Sequence, residues 1–186
     1  MAAIGNVCVQ WSLVEHMLLS LIALVEMMPL PKVYRIFGGL DMIPRCNMAI
    51  GLMRDEKTPQ YIMKRILAVR TELQNGLDKR RNQAIHGVHS FLDTDSVELT
   101  MPRWNPPAQK QVVTYGDLFD LGVSLHHLSD EICAIRDEFF EWKQRVGQNH
   151  LDKLEREIAE ARTPIIFKVA KRIKNRAMDF WGNRKT

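Results

Sequence analysis

Apolar residues recur at alternating spacings of three and four through most of the chain, the pattern of helices that bury one face. In the first stretch Ile4, Val7, Trp11, Val14, Leu18, Leu21 and Val25 form a single stripe, with Gln10 and Glu15 beside it. Pro29 and Pro31 are expected to end that helix, because a proline disfavours helical geometry in the residue before it. Lys32 to Met53 is apolar but holds Gly38, Gly39 and Pro44, and reads as one kinked helix or two short ones. A third helix is predicted with Thr58 as N-cap and Pro59 at the first helical position. Its stripe is Ile62, Ile66, Val69 and Leu73, and it runs on through Leu77 to about His86, where Gly87 supplies a left-handed stop.

From Val88 the period changes. Val88–Leu92 and Val97–Met101 read as short extended runs around a turn at Asp93, Thr94, Asp95 and Ser96, and Val112–Val113 as a further short strand. Pro102, Pro106 and Pro107 forbid regular structure between them. A fourth helix then carries Leu118, Leu121, Leu125, Leu128, Ile132, Ile135, Phe139, Trp142 and Val146 as a heptad seam, closed by Gly147. The last helical region, Leu151 to about Trp181, has Leu154, Ile158, Ile165 or Ile166, Val169, Ile173 and Phe180 as its stripe and is expected to break at Pro164. The resulting fold class is all-α, an up-and-down four- to five-helix bundle with a small β-hairpin-like insertion after the third helix. Residues 1–148 form the bundle and 149–186 a C-terminal helical extension with a basic amphipathic tail.

Composition narrows the classes. Of 186 residues, 46% are hydrophobic and 26% charged, which excludes disorder over most of the length and any fibrous repeat. The most apolar uncharged run, Met17 to Val25, lies between His16 and Glu26 and is too short to cross a bilayer. The N-terminus lacks the basic start of a secretory signal. Cys8, Cys46 and Cys133 are far apart, odd in number and without a Cys-x-x-Cys, so neither a disulfide frame nor a zinc knuckle is expected. These features together read as a reduced, cytoplasmic protein with no membrane attachment. Charge is uneven: Pro164 to Thr186 carries seven basic residues and one acid, +6, within a chain of +4, so the remainder is about −2. Lys168, Lys171, Arg172, Lys174 and Arg176 lie opposite Val169, Ile173 and Phe180. That amphipathic face packs on the bundle with its charges solvated, or meets an RNA backbone, or, as the last alternative, lies on an anionic membrane surface.

Most chemical motifs are missing: no Walker sequence, no Gly-x-Gly-x-x-Gly, no His-Glu-x-x-His. No metal site and no cofactor are expected. His86-Gly87-Val88-His89 has no carboxylate or cysteine at a supporting interval, and His126-His127 reads as a solvated pair. One segment stands out, Lys79-Arg80-Arg81-Asn82-Gln83-Ala84-Ile85-His86-Gly87. On a helix Asn82 and His86 share a face. Arg81 lies about 100° round from Asn82, yet its long side chain can swing back. A guanidinium, an amide and an imidazole would then meet near one helix end. Plain capping is the competing reading, since Lys79, Arg80, Arg81 and His86 all suit a helix C-terminus.

Arg81-Asn82-Gln83-Ala84-Ile85-His86 resembles the Arg-x4–6-His signature of HEPN domains, in its Arg-Asn-x-x-x-His form. Trp11-Ser12-Leu13-Val14-Glu15 is similar to the Trp-x-x-x-Glu that opens many such domains, and the helix from Tyr115-Gly116-Asp117-Leu118 follows the variable segment as it does there. The resemblance covers roughly Met1 to Val146. It implies an all-helical, metal-independent endoribonuclease, with toxin or anti-phage defence as its role and a cognate antitoxin as partner. Arg81 would bind the scissile phosphate, His86 would transfer protons and Asn82 would position them. Glu15 is a supporting candidate, and Arg80 also satisfies the loose spacing. RNA brings its own nucleophile, the 2′-hydroxyl, so proton transfer by histidine and charge stabilisation by arginine suffice without a metal. The family also implies a homodimer with two motifs around one groove, and cleavage to a 2′,3′-cyclic phosphate and a 5′-hydroxyl.

Overall fold

A computed structural model describes residues 2–86, 88–91, 96–101 and 109–182; side chains are described over this range except at 88–91, 97, 99–101, 109–110, 159 and 161–182. The fold is mostly helical. Residues 1–140 form one compact unit and residues 141–186 a second, against a boundary at residue 148 in the sequence reading.

In the first unit, α1 (Ala2–Val25) buries Val7, Trp11, Val14, Leu18, Leu21 and Val25, the predicted stripe apart from Ile4, and adds Leu19 and Ile22 on a second row. Two buried rows mean neighbours on both sides, and α1 contacts α2 (Leu30–Phe37), α3 (Met42–Asp55) and α5 (Asp78–His86). By length and hydropathy alone α1 suffices to cross a membrane, the one helix among the described residues that does. The count from Met17 to Val25 missed this because it stopped at His16, with Glu15 behind it, whereas the helix carries that one charge within a longer apolar stretch. Here its apolar rows pack on the other helices.

The prolines after α1 start the next helix instead of ending the first. Met27 turns the chain at φ 50°, Pro29 is the N-cap of α2, and Pro31 lies in its first turn, where a missing N–H costs nothing. Of the two readings, one kinked helix or two short ones, the chain takes the second, as α2 and α3. Between them Gly38 is required by space: a Cβ there would lie 2.4 Å from the Tyr34 carbonyl oxygen. Pro44 falls in the first turn of α3 and is tolerated for the same reason as Pro31.

The third predicted helix is divided. Thr58 does not cap it; its hydroxyl donates to the Met53 carbonyl at 2.5 Å and closes α3, while Lys57 takes φ 57° and Pro59 is the N-cap of α4 (Gln60–Glu72). The same carbonyl accepts the Thr58 backbone N–H at 3.1 Å, so one residue closes the end of α3 with two bonds. The chain then passes through a five-residue π-turn, Leu73–Leu77, in which Gly76 sits at φ 123°, before α5. The Asn75-Gly76 pair permits that conformation, which side-chain periodicity does not register.

Val88–Phe91, Ser96–Met101 and Gln109–Thr114 form β1, β2 and β3 of an antiparallel sheet in the order β1-β2-β3, with Val88 opposite Thr100 and Ser96 opposite Thr114. The third strand is longer than the expected Val112–Val113. Ser96, expected in the turn, begins β2 instead, while the rest of that turn at 93–95, the prolines at 102, 106 and 107, and the Gly87 stop lie outside the described residues. Thr114 and Asp117 cap α6 (Tyr115–Gly182) reciprocally: the Thr114 N–H and hydroxyl donate to the Asp117 carboxylate, and the Asp117 N–H donates to the Thr114 hydroxyl. These bonds hold the Asp117 carboxyl below its ordinary value.

Within the first unit α6 buries Leu118, Leu121, Leu125, Leu128, Ile132, Ile135 and Phe139. Gly122 lies against Asn6, and Arg136 donates to the Ser20 hydroxyl. Arg65 of α4 binds the Glu131 carboxylate through two nitrogens and pairs with Glu138. In the second unit the helix continues through Gly147 and Pro164, where breaks were expected. Gly147 has no left-handed φ, and the Lys, Gln, Arg, Leu and Glu residues around it favour helix strongly enough to carry one glycine. Val146, Leu151, Leu154 and Ile158 are exposed there.

Candidate functional site

α5 is short and polar, with Ala84 as its buried residue, so its other side chains are left for other uses. Arg81 turns its Nη1 to the Asn82 amide oxygen at 2.7 Å, and its guanidinium carbon lies 4.5 Å from the centroid of the Trp11 ring. The backward swing towards Asn82 therefore occurs. Both residues are half-buried, and the Arg81 Nε is buried without a hydrogen-bond partner.

Arg81 and Asn82 line a cavity of about 490 Å³ together with Trp11, Glu15, Asp78 and the segment from Gly38 to Arg45. Glu15 takes part directly. Its Oε1 accepts from the Trp11 indole N–H at 3.2 Å, four residues earlier on α1, and lies 3.6 Å from Arg45 Nη1. Arg45 is 2% exposed, and its Nη2 donates to the carbonyls of Gly38 at 3.0 Å and Leu40 at 2.7 Å.

His86, the last residue of α5, is exposed and lines neither this cavity nor the smaller one beside it. Arg81 and Asn82 are thus brought together on the cavity wall, and His86 stands at the helix end. Arg80 points elsewhere: it borders the second cavity, of about 260 Å³, between α5, β3 and the start of α6, and reaches the Asp117 carbonyl at 3.5 Å. Of the two arginines that fit the spacing, Arg81 is the one beside Asn82. His126 and His127 are exposed, with His126 3.5 Å from Asp130. The side chains of His89, Lys168, Lys171, Arg172, Lys174 and Arg176 lie outside the described residues. Among the described residues no group of three or more His, Cys, Asp and Glu is placed to hold a metal ion.

The sequence reading missed Arg45. Its signal was present: a charged residue among Met42, Cys46, Ala49, Ile50 and Met53, the buried face of α3. A charge on an apolar face needs partners, and Glu15 with two backbone carbonyls provides them.

No known family model, curated protein or solved structure matches the chain.

Proposed function

We propose that the chain is a metal-independent endoribonuclease of the HEPN type, acting as a homodimer. The observation that carries the reading is the Arg81 guanidinium, held between the Trp11 ring and the Asn82 amide on the wall of a polar cavity, with His86 solvent-accessible at the end of the same helix. A guanidinium fixed on two sides is pre-organised to meet a phosphate as charge builds on its non-bridging oxygens. In the reaction the 2′-oxygen attacks phosphorus and the bond to the 5′-oxygen breaks. The proton leaves the 2′-hydroxyl for a base and another reaches the departing 5′-oxygen. His86 is the proton carrier, and a two-fold dimer supplies a second one across the groove.

The finer architecture belongs to the same reading. An up-and-down bundle of α1, α2, α3, α4 with α5, and the start of α6 is supported by the pairs His16–Tyr34, Asn47–Arg70 and Arg65–Glu131. The basic residues Lys168, Lys171, Arg172, Lys174 and Arg176 would meet the RNA backbone, and a cytoplasmic antitoxin covering the cavity is the regulatory partner.

The second reading is a non-catalytic, nucleic-acid-binding module of the same fold, favoured by one observation: His86 does not line the cavity that holds Arg81. Incubation with mixed RNA and with DNA of the same sequences, in the presence of a chelator, separates the two. RNA shortened to fragments with 2′,3′-cyclic phosphate ends, with DNA untouched, supports the enzyme. RNA bound but intact supports the module.

A further inference from the structure

We propose that Arg45 and Glu15 are positioning residues for Arg81, acting through the Trp11 indole. Four groups from three helices form a single line of contact. Arg45 stands 3.6 Å from Glu15, Glu15 accepts the Trp11 N–H at 3.2 Å, and the Trp11 ring carries the Arg81 guanidinium at 4.5 Å. Trp11 is 3% exposed, so the core fixes the ring's location. The N–H bond to Glu15 fixes which way the indole is turned, and hence the face on which Arg81 rests.

Arg45 is the residue in this line that packing does not explain. It is almost fully buried, yet two of its nitrogens, Nε and Nη1, make no hydrogen bond. A buried charge with unmade bonds is disfavoured relative to an apolar side chain of similar volume. Pinning the turn at Gly38 and Leu40 uses Nη2 alone. What the charge adds is a partner for Glu15, which is partly exposed and would otherwise be free to turn to water. Arg45 keeps Glu15 on Trp11, and Trp11 keeps Arg81 level with Asn82.

The consequence for cleavage rests on the ribonuclease reading; the consequence for the position of Arg81 does not. The test therefore has two readouts on the full chain. The first is the Nε–Hε resonance of Arg81 in a nitrogen-15 spectrum, displaced by the ring current of Trp11, with exposed Arg54 and Arg145 as internal references. In Arg45→Gln and in Glu15→Gln this resonance is expected to move towards the reference arginines, while thermal unfolding stays cooperative. The second is steady-state cleavage of an RNA oligonucleotide. Here kcat is expected to fall about tenfold to a hundredfold with KM nearly unchanged, as for a displaced group that acts in the transition state. The double variant Arg45→Gln/Trp11→Phe should be no worse than its more damaging single member, because both interrupt one line.

An unmoved Arg81 resonance in folded Arg45→Gln overturns the proposal. Should that variant not fold, Glu15→Ala decides by the same resonance, because it removes the acceptor of the Trp11 N–H from a partly exposed position and leaves in place the ring whose current is read. If the wild-type protein cleaves no RNA, the ribonuclease reading fails and the resonance alone judges the relay.

Discussion

Arg81 rests on Trp11 with its guanidinium carbon 4.5 Å from the ring centroid, a contact between residues seventy positions apart that joins α5 to α1. Such a stack contributes about 0.5–2 kcal/mol, and it leaves the edge of the guanidinium to act. Lysine keeps the charge but has neither the planar face nor the fork. Arg81→Lys is therefore expected to lower the unfolding free energy by no more than about 1–2 kcal/mol and yet to abolish RNA cleavage. Urea unfolding and a cleavage assay on the same preparation check both halves.

Gly38 and Gly39 make a controlled pair. A Cβ at Gly38 would lie 2.4 Å from a backbone oxygen, whereas one at Gly39 meets nothing within 4 Å. Gly38→Ala is expected to cost about 1–3 kcal/mol, the range for forced overpacking, and Gly39→Ala less than about 0.5 kcal/mol. Because the Gly38 carbonyl holds Arg45, only the first should also disturb the Arg81 site. Melting temperatures of the two variants decide the matter.

Arg65 bonds to Glu131 and holds its carboxyl below the ordinary value of 4.5; the same bond pushes the arginine up. A carboxyl lowered in the folded state contributes stability above its unfolded value and loses it as pH falls through the folded one. The two side chains are 31% and 40% exposed, so screening limits the pair to about 0.5–1 kcal/mol. Arg65→Gln also releases Glu138, so it is expected to destabilise by at least that amount at pH 7 and by markedly less at pH 3, read from urea unfolding at both values.

Burial pushes the Cys46 thiol up to about 12, against a smaller opposing pull from Arg70. The thiolate is the nucleophile, so Cys46 should resist alkylation at pH 8 in the native protein. Cys8 and Cys133, which are only partly buried, should be alkylated first. Mass spectrometry of peptides after iodoacetamide treatment, with and without denaturant, gives the order.

What the sequence made legible was what local periodicity can encode. The α1 stripe from Val7 to Val25 and the α6 seam from Leu118 to Phe139 are buried, because a three-four spacing fixes a face wherever the helix packs. The π-turn at Leu73–Leu77 was not legible, since its stripe residues Leu73 and Leu77 stay buried on both sides of a backbone that changes only at Gly76. Thr58 was misassigned because a hydroxyl between two helices can serve either of them. At the site, Arg81 and Asn82 were found from a short motif on one helix. Arg45 was not, because its partners Glu15, Gly38 and Leu40 come together only in the folded chain.

The most direct test of the account is the fate of a single scissile phosphate in an end-labelled RNA, with a chelator present, offered to the wild-type chain and to His86→Ala and Arg81→Ala variants of matched circular dichroism. The account predicts a 2′,3′-cyclic phosphate and a 5′-hydroxyl from the wild type and intact RNA from both variants. Cleavage that persists in either folded variant, or RNA left whole by the wild type, contradicts it.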